Sequence, residues 1–224
     1  MKPLALIALA VLWSCSQNHT DPFVSAVHRL APSVVLLTMQ VRSDDGKGWD
    51  DAYATGVVVS SGKWGSDILT VQHAVDGAHN LHVTINNRQK IIGRVVAMNS
   101  DLDLAVVHTP RSGLPPATLG DSSLLVPGEE IGVMGYPIPD AFEDEGLGLA
   151  TSIDSGRISS FRKHAIELNL PIVPGESGGP VFTDSEDGAV VAIAESRFDE
   201  ERSIGFALPI NEARAFLHAH AHGF

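Results

Sequence analysis

A chain of 224 residues can bury the core of one domain or of two compact halves, and 44% hydrophobic residues with 21 glycines and 13 prolines suit a turn-rich globular fold. A formal charge of −12 with no basic cluster leaves nothing to hold a phosphate backbone by charge, which argues against nucleic acid as a partner. In chain order the first element is a leader, MKPLALIALAVLWSC. It has one lysine and then an apolar or small stretch from Pro3 to Trp13. That stretch is about half of the ~20 residues a membrane-spanning helix needs, so residues 1–14 read as a secretory signal.

The leader ends in Leu12-Trp13-Ser14-Cys15, which resembles the lipobox of bacterial lipoproteins. The resemblance implies that Cys15 becomes the acylated first residue after cleavage. Residues 15–22 would then be a polar tether, and Ser16 would favour retention on the periplasmic side of the outer membrane of a Gram-negative cell. Cys15 is the only cysteine, so no internal disulfide can form. The alternative is an ordinary signal peptide with an incidental cysteine.

Helical spacing is expected over Asp21 to Leu30. From Ser33 onward the pattern turns to short β-rich runs separated by turn residues. The expected strands are 33–39, 54–60, 67–72, 81–86, 91–97 and 103–108, then 131–135, 149–159, 164–170, 180–183, 189–195 and 204–208. Twelve short strands without intervening helices argue for an all-β fold of antiparallel barrels or a sandwich rather than βαβ units. The midpoint falls in the proline- and glycine-containing connection near 110–128, dividing the strands into six and six. The acidic stretch 138–148 is expected to be a surface loop. A C-terminal helix over 211–222 has Asn211 to cap it and Ala213, Ala215, Phe216 and Leu217 as an apolar stripe.

The segment GESGGP, residues 175–180, places Ser177 among three glycines. A hydroxyl there is a feeble nucleophile unless a base removes its proton and a third group orients that base. Upstream, His73 stands where the apolar run ILTVQ gives way to a loop. Asp103 opens the strand LAVVH, and Asp101 competes with it for the carboxylate role. The order His73, Asp103, Ser177 is that of the two-barrel serine hydrolases.

The blocks LTVQHAV, SDLDLAVV, GESGGPV and IGFALP, with LAPSVVLLTM before them, resemble the signatures of trypsin-like peptidases, particularly the bacterial HtrA (Deg) branch. The resemblance covers roughly residues 23–217 and implies two six-stranded antiparallel β-barrels, over about 23–115 and 116–210. It implies a serine endopeptidase acting on protein or peptide substrates, unfolded envelope proteins among them. His73 would be general base and then acid, Asp103 its orienting partner and Ser177 the nucleophile. Asp103 is preferred to Asp101 because the family pattern is Asp, an apolar residue, then Ala. The N–H groups of Gly175 and Ser177 would form the oxyanion hole, and Ile172, Ala194, Glu195 and Ser196 would approach the substrate pocket.

Two departures qualify the resemblance. Glu176 stands where zymogen-activated relatives pair an acid with a new N-terminus, yet no Ile-Val-Gly-Gly-like segment exists, so neighbouring loops are expected to organise the serine loop. No peptide-binding PDZ module fits after IGFALP within 224 residues, so substrate tethering is not carried over; nor is the family's trimer, whose contacts depend on N-terminal residues that find no match here. A non-enzymatic, chaperone-like lipoprotein on the same fold is the alternative function. No cofactor or metal is expected: His79, His82, His108 and His164 lack ligand-like spacing, and His218, His220 and His222 would fan out as a solvated helical face.

Overall fold

A computed structural model describes residues 21–43, 45–184, 188–195 and 204–224. Cys15 and the leader lie outside the described residues. The chain begins with α1 (Pro22–Leu30), capped by the Asp21 carboxylate, which accepts from the Phe23 N–H at 2.8 Å. Seven strands follow: β1 (Val34–Arg42), β2 (Trp49–Gly62), β3 (Gly65–Val71), β4 (His79–Ile85), β5 (Gln89–Ile92), β6 (Arg94–Asn99) and β7 (Leu104–Thr109). A one-turn helix α2 (Gln72–Val75) interrupts them after β3. The second half comprises β8 (Glu130–Gly135), α3 (Pro139–Asp144), β9 (Ser152–Phe161), β10 (Ile166–Leu168), β11 (Pro180–Phe182), β12 (Val190–Glu195), β13 (Gly205–Pro209) and α4 (Ile210–His220).

The second half is the expected six-stranded closed barrel, in the order β10-β13-β12-β11-β8-β9. The first is a seven-stranded antiparallel sheet, β5-β4-β1-β2-β3-β7-β6, which departs from the expected six-stranded barrel. The extra strand arises because the run 91–97 breaks at Gly93. A Cβ there would come 3.1 Å from Val107 Cγ1 and 3.2 Å from Val83 Cγ2. The Gly93 N–H leaves the ladder to bond Leu81 O at 2.9 Å. The two edge strands, β5 and β6, are therefore consecutive in the chain with one residue between them, so the sheet curls until its edges meet without closing.

Each apolar run serves two cores. Along β1, Val34 and Leu36 face a cluster that also holds Leu69, Leu104, Met134, Phe182, Ile193 and Leu208, so it joins the two halves. Val35 and Leu37 face the interior of the curled sheet with Ile68, Val83 and Val107. This double burial explains why SVVLLTM reads as a continuous apolar run rather than an alternating one. The barrel interior is a third cluster, with Ile131, Ile158, Ile166, Leu168 and Val181.

Two local expectations are corrected. Residues 138–148 contain α3, favoured by Pro139 at its first position, in place of a plain loop. Helix α4 begins at Ile210 and ends at His220, and Asn211 does not cap it. Its side chain donates instead to Asp121 Oδ1 at 2.6 Å, tying the helix to the interdomain connection. Among the described residues, no helix is long and apolar enough to cross a membrane.

Candidate active site

The first half of the site follows from strand register. Antiparallel pairing of β3 with β7 sets Val71 opposite Leu104. One step further, Gln72 and His73 leave β3 just as Asp103 enters β7. Asp103 has a left-handed φ of 51°, a conformation aspartate tolerates better than most residues. In that conformation its carbonyl accepts from the Gln72 N–H at 3.0 Å. Its Oδ1 accepts from the His73 N–H at 2.8 Å, and its Oδ2 lies 2.5 Å from His73 Nδ1.

An ionised carboxylate only accepts, so Nδ1 is the protonated ring nitrogen and Nε2 carries the free lone pair. The hydrogen bond that His73 donates to Asp103 raises the His73 pKa, against a smaller opposing effect of burial. The charges of Asp103 and Glu195 add to the rise. Asp101 sits in an exposed turn, where its N–H and that of Leu102 donate to Asn99 Oδ1 at 3.0 and 3.1 Å. Asp103, not Asp101, is thus the residue joined to His73.

The serine loop belongs to the second half but is held by both. The Ser177 carbonyl accepts from the Thr55 N–H at 3.0 Å. Thr55 Oγ1 donates to Gly175 O at 2.7 Å and accepts from the Tyr136 N–H at 3.0 Å. On the barrel side, the Gly178 N–H donates to Ala194 O at 2.9 Å, and the Ala194 N–H to Gly179 O at 2.8 Å.

The glycines are required by space. At Gly175, with φ of 95°, a Cβ would lie 2.2 Å from Tyr136 O. At Gly178, with φ of 87°, it would lie 2.2 Å from Thr70 Oγ1. Ser177, buried at 6% exposure, is therefore next to a backbone atom in contact with Thr70, three residues before His73. Among the described residues, no hydrogen bond joins the Ser177 hydroxyl to the His73 ring. Nor does the N–H of Gly175 or Ser177 donate to a backbone carbonyl there, so neither is consumed within the loop.

Of the expected pocket residues, Ile172 and Ala194 join the barrel cluster with Leu168, Leu170 and Ala207. Glu195 is buried and close enough to raise the His73 pKa. Ser196 lies outside the described residues. A cleft of about 250 Å³ opens beside Gly175, lined by Asp51, Tyr53, Ile138, Pro139, Asp140 and Pro174 among others.

The residues that sequence reasoning missed are those that hold the loop. Thr55 sits in an unremarkable β run, and nothing local marks it. Glu176 finds its partner within the second barrel: its Oε2 accepts from the Val173 N–H at 3.0 Å. Burial, above all, pushes this carboxyl up to about 7, with the nearby Asp154 carboxylate adding to the rise against the Val173 bond. The hold of Val173 on Glu176 fits the expectation that neighbouring segments organise the loop.

A closed barrel packed on a curled antiparallel sheet, an imidazole–carboxylate pair on one and a glycine-wrapped serine on the other, define the two-barrel hydrolase frame. The chain belongs to the trypsin-like peptidase domain family, whose model matches residues 54–193. It is 33% identical to the putative serine protease HhoA of Synechocystis sp. over 70% of its own length and 40% of the relative's. It is 30% identical to a probable periplasmic serine endoprotease DegP-like of Marinomonas sp. over 76% of its length and 36% of that protein. The serine protease Do-like HtrA of Bacillus subtilis shares 27% identity over 84% of this chain and 46% of its own. The chain thus spans less than half the length of these relatives. Among solved structures, an HtrA-type protease AlgW with tripeptide superposes with a TM-score of 0.72 at 25% identity, covering 88% of this chain and 62% of that one.

Proposed function

We propose that the protein is a serine endopeptidase of the bacterial cell envelope, with His73, Asp103 and Ser177 as its catalytic residues. The observation that carries this reading is the bidentate hold of Asp103 on His73, with the serine loop clamped against the same sheet through Thr55 on β2 and Thr70 on β3. In the first step His73 Nε2 takes the Ser177 hydroxyl proton as Oγ attacks the scissile carbonyl. The N–H groups of Gly175 and Ser177 stabilise the resulting oxyanion. The protonated imidazole, stabilised by Asp103, gives its proton to the leaving amine, and an acyl-enzyme remains. Water, deprotonated by the same ring, then releases the acid product and restores the serine.

Substrates are proteins or peptides, as the names of the relatives support. Relatives named periplasmic endoproteases support an envelope location. Acylation of Cys15 would fix the chain to the periplasmic side of the outer membrane, and Cys15→Ala is expected to move it from the membrane to the soluble fraction. An unchanged distribution refutes the anchor.

The missing hydrogen bond between Ser177 and His73 favours a second reading, a catalytically silent binding protein on the same frame. Labelling with a fluorophosphonate separates the two. The wild type is expected to label and to cleave casein, and Ser177→Ala to do neither. A wild type that takes no label at pH 8 supports the silent reading.

A further inference from the structure

Asp67 lies on β3, at the end remote from His73. It is completely buried, yet no lysine or arginine pairs with it among the described residues. His108 on β7 and His222, beyond the end of α4, converge on its carboxylate. His108 Nδ1 is 2.7 Å from Oδ1, and His222 Nδ1 is 3.0 Å from Oδ2. The His222 N–H donates to Oδ2 at 2.6 Å and the Ser60 hydroxyl at 3.2 Å. The three residues come from positions separated by as many as 155 residues, so no spacing in the sequence signals the cluster. Nor is His222 the freely solvated group expected of it.

With neutral imidazoles this cluster holds one net negative charge in a buried setting, a costly arrangement unless a cation compensates it. The two rings are tilted 58° with centroids 5.4 Å apart, so they converge on the carboxylate without stacking face to face. One ligand atom from each of the three residues lies within 4.8 Å of the others. A tetrahedral zinc ion with bonds of about 2.0–2.1 Å holds its nitrogen and oxygen ligands about 3.3 Å apart. The imidazole–carboxylate separations of 2.7 and 3.0 Å, one to each oxygen of Asp67, lie within about 0.3–0.6 Å of that spacing, and no two of the ligand atoms are more than 4.8 Å apart. His222, with 61% of its side chain exposed, can supply that adjustment and leaves a side open for water as fourth ligand. On the other side, Ser60 orients the carboxylate, and the tight approach of Gly65 to the His108 ring restrains that imidazole.

We propose that Asp67, His108 and His222 bind one divalent transition-metal ion of the zinc type, stapling the C-terminal segment to the first half of the molecule. Two imidazoles and one carboxylate suit zinc rather than calcium or magnesium, which take oxygen ligands. Asp67 lies four strand steps, about 13 Å, before Val71, the end of β3 that leads into His73, so the ion acts on stability and not on the reacting serine.

The test uses the whole chain, stripped with a chelator and titrated with zinc chloride by calorimetry, with cobalt(II) as a spectroscopic probe. One equivalent is expected to bind, and cobalt to give the intense visible bands of a tetrahedral site. Zinc at 100 times its dissociation constant should raise the unfolding midpoint by roughly 5–10 °C. His222→Gln and His108→Gln, whose amides can still donate to Asp67, should each abolish the binding and the zinc-dependent rise. Fluorophosphonate labelling of Ser177 by His222→Gln should match the wild type, showing that the variant is folded. If His108→Gln does not fold, His222→Gln decides alone. Less than a tenth of an equivalent bound by the stripped wild type overturns the proposal. So does a zinc-dependent rise that survives undiminished in His222→Gln, which would place the ion on other histidines.

Discussion

Replacing Glu176 by glutamine isolates the charge that sits beside Ser177. One Glu176 oxygen accepts from the Val173 N–H, and the Asp154 carboxylate is near enough to raise the Glu176 pKa. Glutamine can keep the Val173 contact with its carbonyl, so the substitution removes the ionisation and leaves the shape. In the folded chain the carboxyl titrates near 7, against an ordinary value of 4.5. Between those pH values the folded state keeps a proton that the unfolded chain has released. Stability is therefore fully present below pH 4.5 and is lost as pH rises through 7. Each pH unit is worth about 1.4 kcal/mol, so the loss attributable to Glu176 is on the order of 3 kcal/mol. Its 1% exposure leaves little solvent to screen the effect.

Urea unfolding of wild type and Glu176→Gln at intervals from pH 4.5 to 8.5 measures this directly. The two should agree at the acidic end and diverge steadily, the variant becoming the more stable by about 2–3 kcal/mol at pH 8. Other groups titrating in the range cancel in the difference. Stability curves that run parallel across the whole range would refute the raised pKa of Glu176 and the account of the loop built on it.

Three further outcomes follow from the packing. Thr55→Val keeps the volume but leaves Gly175 O and the Tyr136 N–H without their hydroxyl partner, which should cost about 2–4 kcal/mol in urea unfolding and slow fluorophosphonate labelling of Ser177. Gly175→Ala drives a methyl to 2.2 Å from Tyr136 O at a positive φ, and labelling should fall at least tenfold while circular dichroism still reports a β fold. Phe182→Ala empties the fully buried position against Phe23 in the cluster joining the halves, and should cost about 3–5 kcal/mol by urea unfolding.

The dyad was legible in the sequence because two apolar strands fix it. Once β3 and β7 are recognised, pairing Val71 with Leu104 brings His73 and Asp103 together with no further information. The serine loop was legible for a different reason: Gly175 and Gly178 occupy positions where a side chain would strike Tyr136 or Thr70, and that constraint leaves its mark in GESGGP. What could not be read are contacts whose partners lie far apart and carry no local pattern. Thr55 reaches Gly175 across 120 residues. Asn211 looks like a cap until Asp121 draws its amide away, and the apolar run 91–97 gives no sign that Gly93 divides it. The Asp154 neighbour of Glu176 sits on β9, with nothing in its surroundings to mark it.

The hold of Thr55 on two carbonyl-bearing turns of the opposite half has a bearing on how the chain matures. A polypeptide emerging N-terminus first can complete β1 to β7, and the His73–Asp103 pair with them, before residue 175 has been made. The bend around Ser177 takes its anchors from both halves, from Thr55 and Thr70 on one and Ala194 on the other. Its shape is therefore acquired last, when the halves dock.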